Sequence, residues 1–190
     1  MDSLKIMIVG VGGQGTLLAS KLLGKMLLGK GYDVKVSEVH GMSQRGGSVV
    51  TYICCGEKAY SPVIDEGEAD YIVSFEALEA ARWISYLKKD GIIVTNTQEI
   101  NPMPVITGMA EYPENIIEKT AAEGVNIDAF DALTPAVKAG SSKAVNIVLL
   151  GRLSKYFDFT EEEWLRAIRE SVPERFVELN EQAFLLGRQA

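Results

Sequence analysis

The run Leu4-Lys5-Ile6-Met7-Ile8-Val9 leads directly into Gly10-Val11-Gly12-Gly13-Gln14-Gly15 and then into an apolar-periodic stretch from Leu17 to Leu28. A short apolar segment, a tight glycine loop and a helical stripe read together as strand, turn and helix. The spacing of Gly10, Gly12 and Gly15 fits G-x-G-x-x-G. The first glycine allows the sharp turn, the second lets a ligand approach the backbone, and the third lets helix pack close on strand. The free N–H groups and dipole of such a helix start favour an anion such as a phosphate. A glycine-rich first turn also serves close packing alone, so this motif leaves both roles open.

Working outward, Gly29 and Gly31 stop the helix, and the alternating 33–39 segment is a second strand completing a βαβ unit with a right-handed crossover. The loop His40-Gly41-Met42-Ser43-Gln44-Arg45-Gly46-Gly47 follows. The β-branched 48–55 segment is a strand that turns at Gly56 into a brief 59–61 segment, a hairpin-like insert. Strand 70–75, helix 76–89 and strand 92–96 restore the alternation, the helix carrying Leu78, Ala81, Ile84, Ser85 and Leu87 as its stripe. Pro102 and Pro104 call for an extended connection. A helix from 113 to 123 and a last strand at 125–130 precede a helical end, with Ser141-Ser142 capping 143–157 and capping boxes at Thr160 and Ser171. The expected fold is one α/β domain over 1–190: a doubly wound, mostly parallel Rossmann-like sheet with a β-hairpin insert and C-terminal helices.

Composition narrows the function. The 190 residues carry a formal charge of −7 and are 47% apolar, which fits a well-cored domain and disfavours nucleic acid as a partner. The sequence has neither an apolar run long enough to span a bilayer nor a signal-peptide pattern at its start, so a cytoplasmic protein is expected. Cys54 and Cys55 are adjacent, a spacing that suits neither a metal nor an iron–sulfur site, and they read as reduced strand thiols.

In doubly wound sheets, ligands sit beyond the carboxyl ends of the strands. The glycine loop and the 40–47 loop both belong there, and the second concentrates the chain's single histidine with an amide and a guanidinium. Gln44 and Arg45 suit a phosphate or carboxylate, Arg45 in bidentate fashion. His40 suits a donor or proton carrier, or a plain loop tie. Met42 could pack on a cofactor ring, and Glu38 stands where a dinucleotide fold places an acid on a ribose. Asn146, inside Ala144-Val145-Asn146-Ile147-Val148-Leu149, is either a satisfied core amide or a site residue.

Four stretches carry a resemblance: 10–15, Val-Ser-Glu-Val-His-Gly-Met-Ser-Gln-Arg-Gly-Gly-Ser-Val at 36–49, Tyr-Ser-Pro at 60–62 and Asn-Ile-Val-Leu-Leu-Gly at 146–151. They resemble the gamma-type domain of 2-oxoacid:ferredoxin oxidoreductases, and within that family the small subunits of indolepyruvate-oxidising enzymes. The resemblance implies a subunit, inactive alone, of an enzyme converting an aryl 2-oxoacid to an acyl-CoA and carbon dioxide, with electrons passing to ferredoxin. The chain lacks Gly-Asp-Gly with a downstream asparagine, and it lacks spaced cysteines. Thiamine diphosphate, its magnesium and the [4Fe–4S] clusters are therefore expected on a larger partner subunit. Coenzyme A is the cofactor expected to reach this chain, at Gly10, Gly12, Gly13, Gln14, Gly15, Met42, Gln44, Arg45, Gly46 and Asn146, with His40 at the shared centre. A ligand-free scaffold, an adenylating enzyme with a similar first loop, and an NAD or FAD dehydrogenase supported by Glu38 are the competing readings.

Overall fold

A computed structural model describes residues 3–38 and 46–190. The sheet has six strands, β1 (Leu4–Val11), β2 (Asp33–Glu38), β3 (Ser48–Gly56), β4 (Ala69–Ser74), β5 (Leu87–Asn96) and β6 (Ile127–Phe130), in the order β2-β3-β1-β4-β5-β6. β1, β4, β5 and β6 run parallel, whereas β3 is antiparallel to both β1 and β2. The β1–α1–β2 crossover is therefore real, but β2 reaches the sheet edge with β3 between it and β1. The hairpin is β2–β3; the 57–68 segment that follows forms no strand.

The apolar run that begins the chain is buried on both faces. Ile6 and Ile8 point toward helices α1 (Thr16–Gly29), α6 (Val145–Leu153), α7 (Glu161–Ser171) and α8 (Val177–Gln189), in a core that includes Leu22, Leu23, Ile147, Trp164 and Phe184. Met7 and Val9 face the other side with Val50, Ile72, Ile93 and Ala80 of α2 (Ala77–Arg82). A strand covered on both faces needs no polar alternation, which is why β1 reads as continuous hydrophobicity. Short helices α3 (Met103–Ile106), α4 (Ile116–Ala122) and α5 (Leu133–Lys138) complete the chain. α6 and α8 meet backbone to backbone: a Cβ on Gly151 would lie 2.1 Å from Phe184 O, and one on Gly187 would lie 2.0 Å from Val148 O.

Several local expectations give way. The 76–89 helix stops at Arg82, a 3-10 turn covers Ile84–Tyr86, and β5 starts at Leu87. Of the expected stripe, Ile84 and Leu87 pack on the sheet face, together with Trp83 and Tyr86, instead of lying on a helix. Lys88 pairs with Asp70 on the neighbouring strand rather than with a helix C-terminus. The Pro102–Pro104 connection is not extended: Pro102 caps α3 and Pro104 sits in its first turn, where a missing N–H is harmless. Thr160 forms the expected capping box with Glu163. Ser171 does not cap; it ends α7, with its hydroxyl buried and unpartnered among the described residues.

Candidate functional site

The glycine loop closes β1 at the carboxyl rim of the sheet. Gln14 folds back so that its Oε1 accepts from Val11 N at 2.7 Å while its Nε2 donates to Phe75 O at 3.1 Å. Its amide thus bridges the ends of β1 and β4. Gly10 leaves room for that amide, since a Cβ there would lie 2.8 Å from Gln14 Oε1 and 3.1 Å from Phe75 Cβ. Gly15 caps α1 with φ of 87°, a left-handed backbone that favours glycine. Asn146 Nδ2 donates to Gly15 O at 3.1 Å and its Oδ1 accepts from Ile147 N at 2.9 Å. The unexpected amide in α6 therefore pins the start of α1, and it is 4% exposed.

The described end of the second loop, Gly46-Gly47, comes to the same place. Gly12 N donates to Gly47 O at 2.8 Å, and Ser48 pairs with Val11 across the β1–β3 ladder. Gly46, at φ of 90°, opens that return. His40, Met42, Gln44 and Arg45 lie outside the described residues. Glu38, at the end of β2, accepts from Ser20 Oγ at 2.7 Å, which ties the strand end to α1.

Three recesses surround this rim. One of 260 Å³ lies on the β2–β3 side of the glycine loop, lined by Gly12, Gly13, Thr16, Leu17 and Glu38. Another, of 550 Å³, lies on the β5–β6 side, where Gly13, Gln14 and Gly15 meet Gln98, Leu133, Lys143 and Asn146. Gly13 borders both, and among the described residues no heavy atom beyond its own and its chain neighbours' lies within 4 Å of where its Cβ would be. The third, of 230 Å³, is bounded by Gly46, Gly47, Ser48, Glu76, Glu79, Arg82 and the 100–104 segment.

Glu76 and Glu79 escape a sequence reading that puts Leu78 and Ala81 on the buried face. They are 1% and 2% exposed. Glu76 accepts from Glu79 N at 2.8 Å, from Ile100 N at 3.0 Å and from the Tyr112 hydroxyl. Burial, reinforced by that bond to Glu76, pushes the Tyr112 phenol well above its usual range. Glu79 accepts from Arg82 at 2.8 Å, from Trp83 Nε1 at 3.4 Å and from the Ser48 hydroxyl. Only a complete set of donors makes a buried carboxylate tolerable. Lys143, also missed, sits at the mouth of the larger recess because Ser141 caps the turn that carries it.

The chemistry at this rim is that of binding. At the start of α1, Thr16 and Leu17 border the 260 Å³ recess, where helix-start N–H groups suit phosphate or carboxylate oxygens, while Lys143 offers its positive charge to the separate 550 Å³ recess. Among the described residues no group of three or more His, Cys, Asp or Glu side chains could hold a metal. Cys54 and Cys55 are buried, and burial pushes the Cys55 thiol up to about 11. They do not fit an iron–sulfur cluster.

A model of the pyruvate ferredoxin/flavodoxin oxidoreductase family matches residues 5–190. The chain belongs to this family. It is 46% identical to indolepyruvate oxidoreductase subunit IorB of Thermococcus kodakarensis, over 100% of this chain and 96% of that protein. The subunit of the same name from Archaeoglobus fulgidus is 38% identical over 97% of this chain and 93% of its own length. Among solved structures, pyruvate oxidoreductase subunit PORC of Thermotoga maritima has the same fold: TM-score 0.74 at 22% identity, covering 100% of this chain and 97% of that one. The 2-oxoglutarate:ferredoxin oxidoreductase of Magnetococcus marinus, solved with 2-oxoglutarate, coenzyme A and succinyl-CoA bound, gives a TM-score of 0.71 at 17% identity. There this chain is covered in full and 31% of the other chain is matched. The resemblance seen in the 10–15 and 36–49 stretches thus extends across the family member as a whole. It outweighs the adenylating and dehydrogenase readings, which rest on the glycine loop and Glu38 alone. No helix among the described residues of this oxidoreductase subunit is long and apolar enough to cross a membrane.

Proposed function

We propose that this chain is the small subunit of a thiamine-dependent indolepyruvate:ferredoxin oxidoreductase and that its carboxyl rim supplies the coenzyme A side of the active centre. The complex converts an aryl 2-oxoacid, coenzyme A and oxidised ferredoxin into acyl-CoA, carbon dioxide and reduced ferredoxin. Thiamine diphosphate, which carries the decarboxylation, and the clusters belong to the larger partner. The observation that carries the reading is the full-length likeness to the Thermococcus subunit. The meeting of the two loops at Gly12 and Gly47 supports the placement of the site.

Within the proposed site the roles divide by which groups are already bonded inside the protein. Gln14 and Asn146 spend their amides on the protein, so they shape the loop. Contacts to coenzyme A phosphates fall to the backbone around Gly13, to the α1 start and to Lys143. This same internal satisfaction favours the second reading, a scaffold that touches no ligand. Coexpression with the large subunit, then viologen reduction against indolepyruvate, phenylpyruvate, pyruvate and 2-oxoglutarate, tests the function. Aryl substrates should be preferred, with strict dependence on coenzyme A and on this chain. Preference for pyruvate, or full activity of the large subunit alone, sinks the proposal; a Lys143→Ala complex with unchanged KM for coenzyme A leaves the scaffold.

A further inference from the structure

A carboxylate on a short surface-seeking helix ordinarily faces water, yet among the described residues Glu76 and Glu79 are the acids counted as buried. Glu76 acts as the N-cap of α2, a local job that explains its position. Glu79, in the first turn of α2, bonds locally to Arg82 and Trp83 but also reaches beyond its own helix. Its carboxylate reaches across to the first residue of β3, accepting the Ser48 hydroxyl, while Arg82 and Trp83 satisfy its remaining acceptor sites. Ser48 is also the partner of Val11 in the β1–β3 register, and its neighbour Gly47 accepts from Gly12 N at 2.8 Å. A continuous path therefore runs Glu79, Ser48, Gly47, Gly12. The opposite flank of the same loop is tied to the same β4–α2 corner by Gln14 on Phe75 O.

We propose that Glu79 is a positioning residue that fixes the glycine loop, and with it the recess bordered by Gly12 and Gly13, by holding Ser48 against the start of α2. That the loop so fixed then presents its backbone to coenzyme A rests on the function proposed above; the mechanical link does not. A charge kept in the interior binds its donors more strongly than a neutral acceptor does, which is the physical reason for a carboxylate rather than an amide at this position. The geometry also gives a reason for a serine after Gly46-Gly47: Ser48 supplies the hydroxyl that the carboxylate grips.

The test uses the coexpressed complex with Ser48→Ala, Glu79→Ala and Glu79→Gln. Amide hydrogen exchange over residues 10–18 reads the loop directly, and a KM and kcat pair for coenzyme A reads its use. Loss of one charge-assisted bond should speed exchange at Gly12 by roughly ten-fold in Ser48→Ala and Glu79→Ala. Glu79→Gln, which keeps an acceptor, should stay within about three-fold, and the double alanine variant should be no worse than Glu79→Ala alone. KM for coenzyme A should rise about five-fold with kcat nearly unchanged. Unchanged exchange at Gly12 in both alanine variants overturns the proposal, whatever happens to thermal stability. Faster exchange with an unmoved KM upholds the positioning role and refutes the coenzyme A reading instead.

Discussion

Gly15→Ala, made alone and in an Asn146→Ala background, separates the two reasons this position is glycine. The first is conformational: at φ of 87° an alanine sits in the left-handed region, at a cost of about 1 kcal/mol. The second is steric: the new Cβ would lie 2.7 Å from Asn146 Nδ2, closer than real Cβ contacts permit. Asn146 is 4% exposed and bonded at both ends of its amide, so it cannot swing aside without breaking its bonds to Gly15 O and Ile147 N. Breaking them adds about 1 to 2 kcal/mol. Gly15→Ala should therefore destabilise the wild-type background by about 2 to 3 kcal/mol. With Asn146 already alanine the obstruction is gone, and the same change should cost about 1 kcal/mol. Urea unfolding of the four proteins, compared at a common m-value, gives the coupling energy. Equal costs in the two backgrounds would refute the view that Asn146 is seated against the glycine and that α6 fixes the start of α1.

Further outcomes follow from the packing. Alanine at Gly151 or Gly187 drives a Cβ into a facing carbonyl at about 2 Å, so either change should separate α6 from α8 and abolish cooperative thermal unfolding measured by calorimetry. Hydrogen bonds from Lys30 and from Thr160 hold the Glu163 carboxyl at about 2, below its usual 4.5. Because the folded value is depressed, its contribution is present above pH 4.5 and is lost as pH falls toward about 2. Glu163→Gln, which can still complete the capping box, should flatten that acid limb in pH-dependent melting, and added salt should do the same, the carboxylate being on the surface. Burial of Cys54 and Cys55 predicts no reaction with a thiol reagent at pH 8 until the chain is unfolded; stoichiometric labelling of the native protein would contradict it.

Legibility in the sequence divided along the range of the interactions. β1, the glycine loop and α1 announce themselves because their periodicity and spacing are local, and Thr160 with Glu163 caps α7 by a contact three residues long. The position of β3 between β2 and β1 is invisible locally, since it is fixed by the pairing of 48–56 with two distant strands. Ile84 and Leu87 suit a helical stripe and a sheet-packing face alike, and Gly91 tips the balance. A Cβ there would lie 2.8 Å from Ala69 O, so its absence lets β5 close on β4. At the rim, Gln14 and Asn146, read from the sequence as candidate ligand contacts, direct their amides to backbone groups of the protein. The buried acids were hidden because a glutamate on a short helix is read as solvated, and nothing in six residues of α2 reports that Ser48 lies within reach.

On the function proposed here, the carboxyl rim of this sheet completes a catalytic centre housed mainly in another subunit. Hydrogen exchange of the chain with and without the proposed thiamine-bearing partner measures this directly. Assembly should protect residues 10–18, 46–48 and 142–146 together. Protection confined to the 57–68 segment at the opposite end of the strands, with the rim exchanging as before, would contradict it.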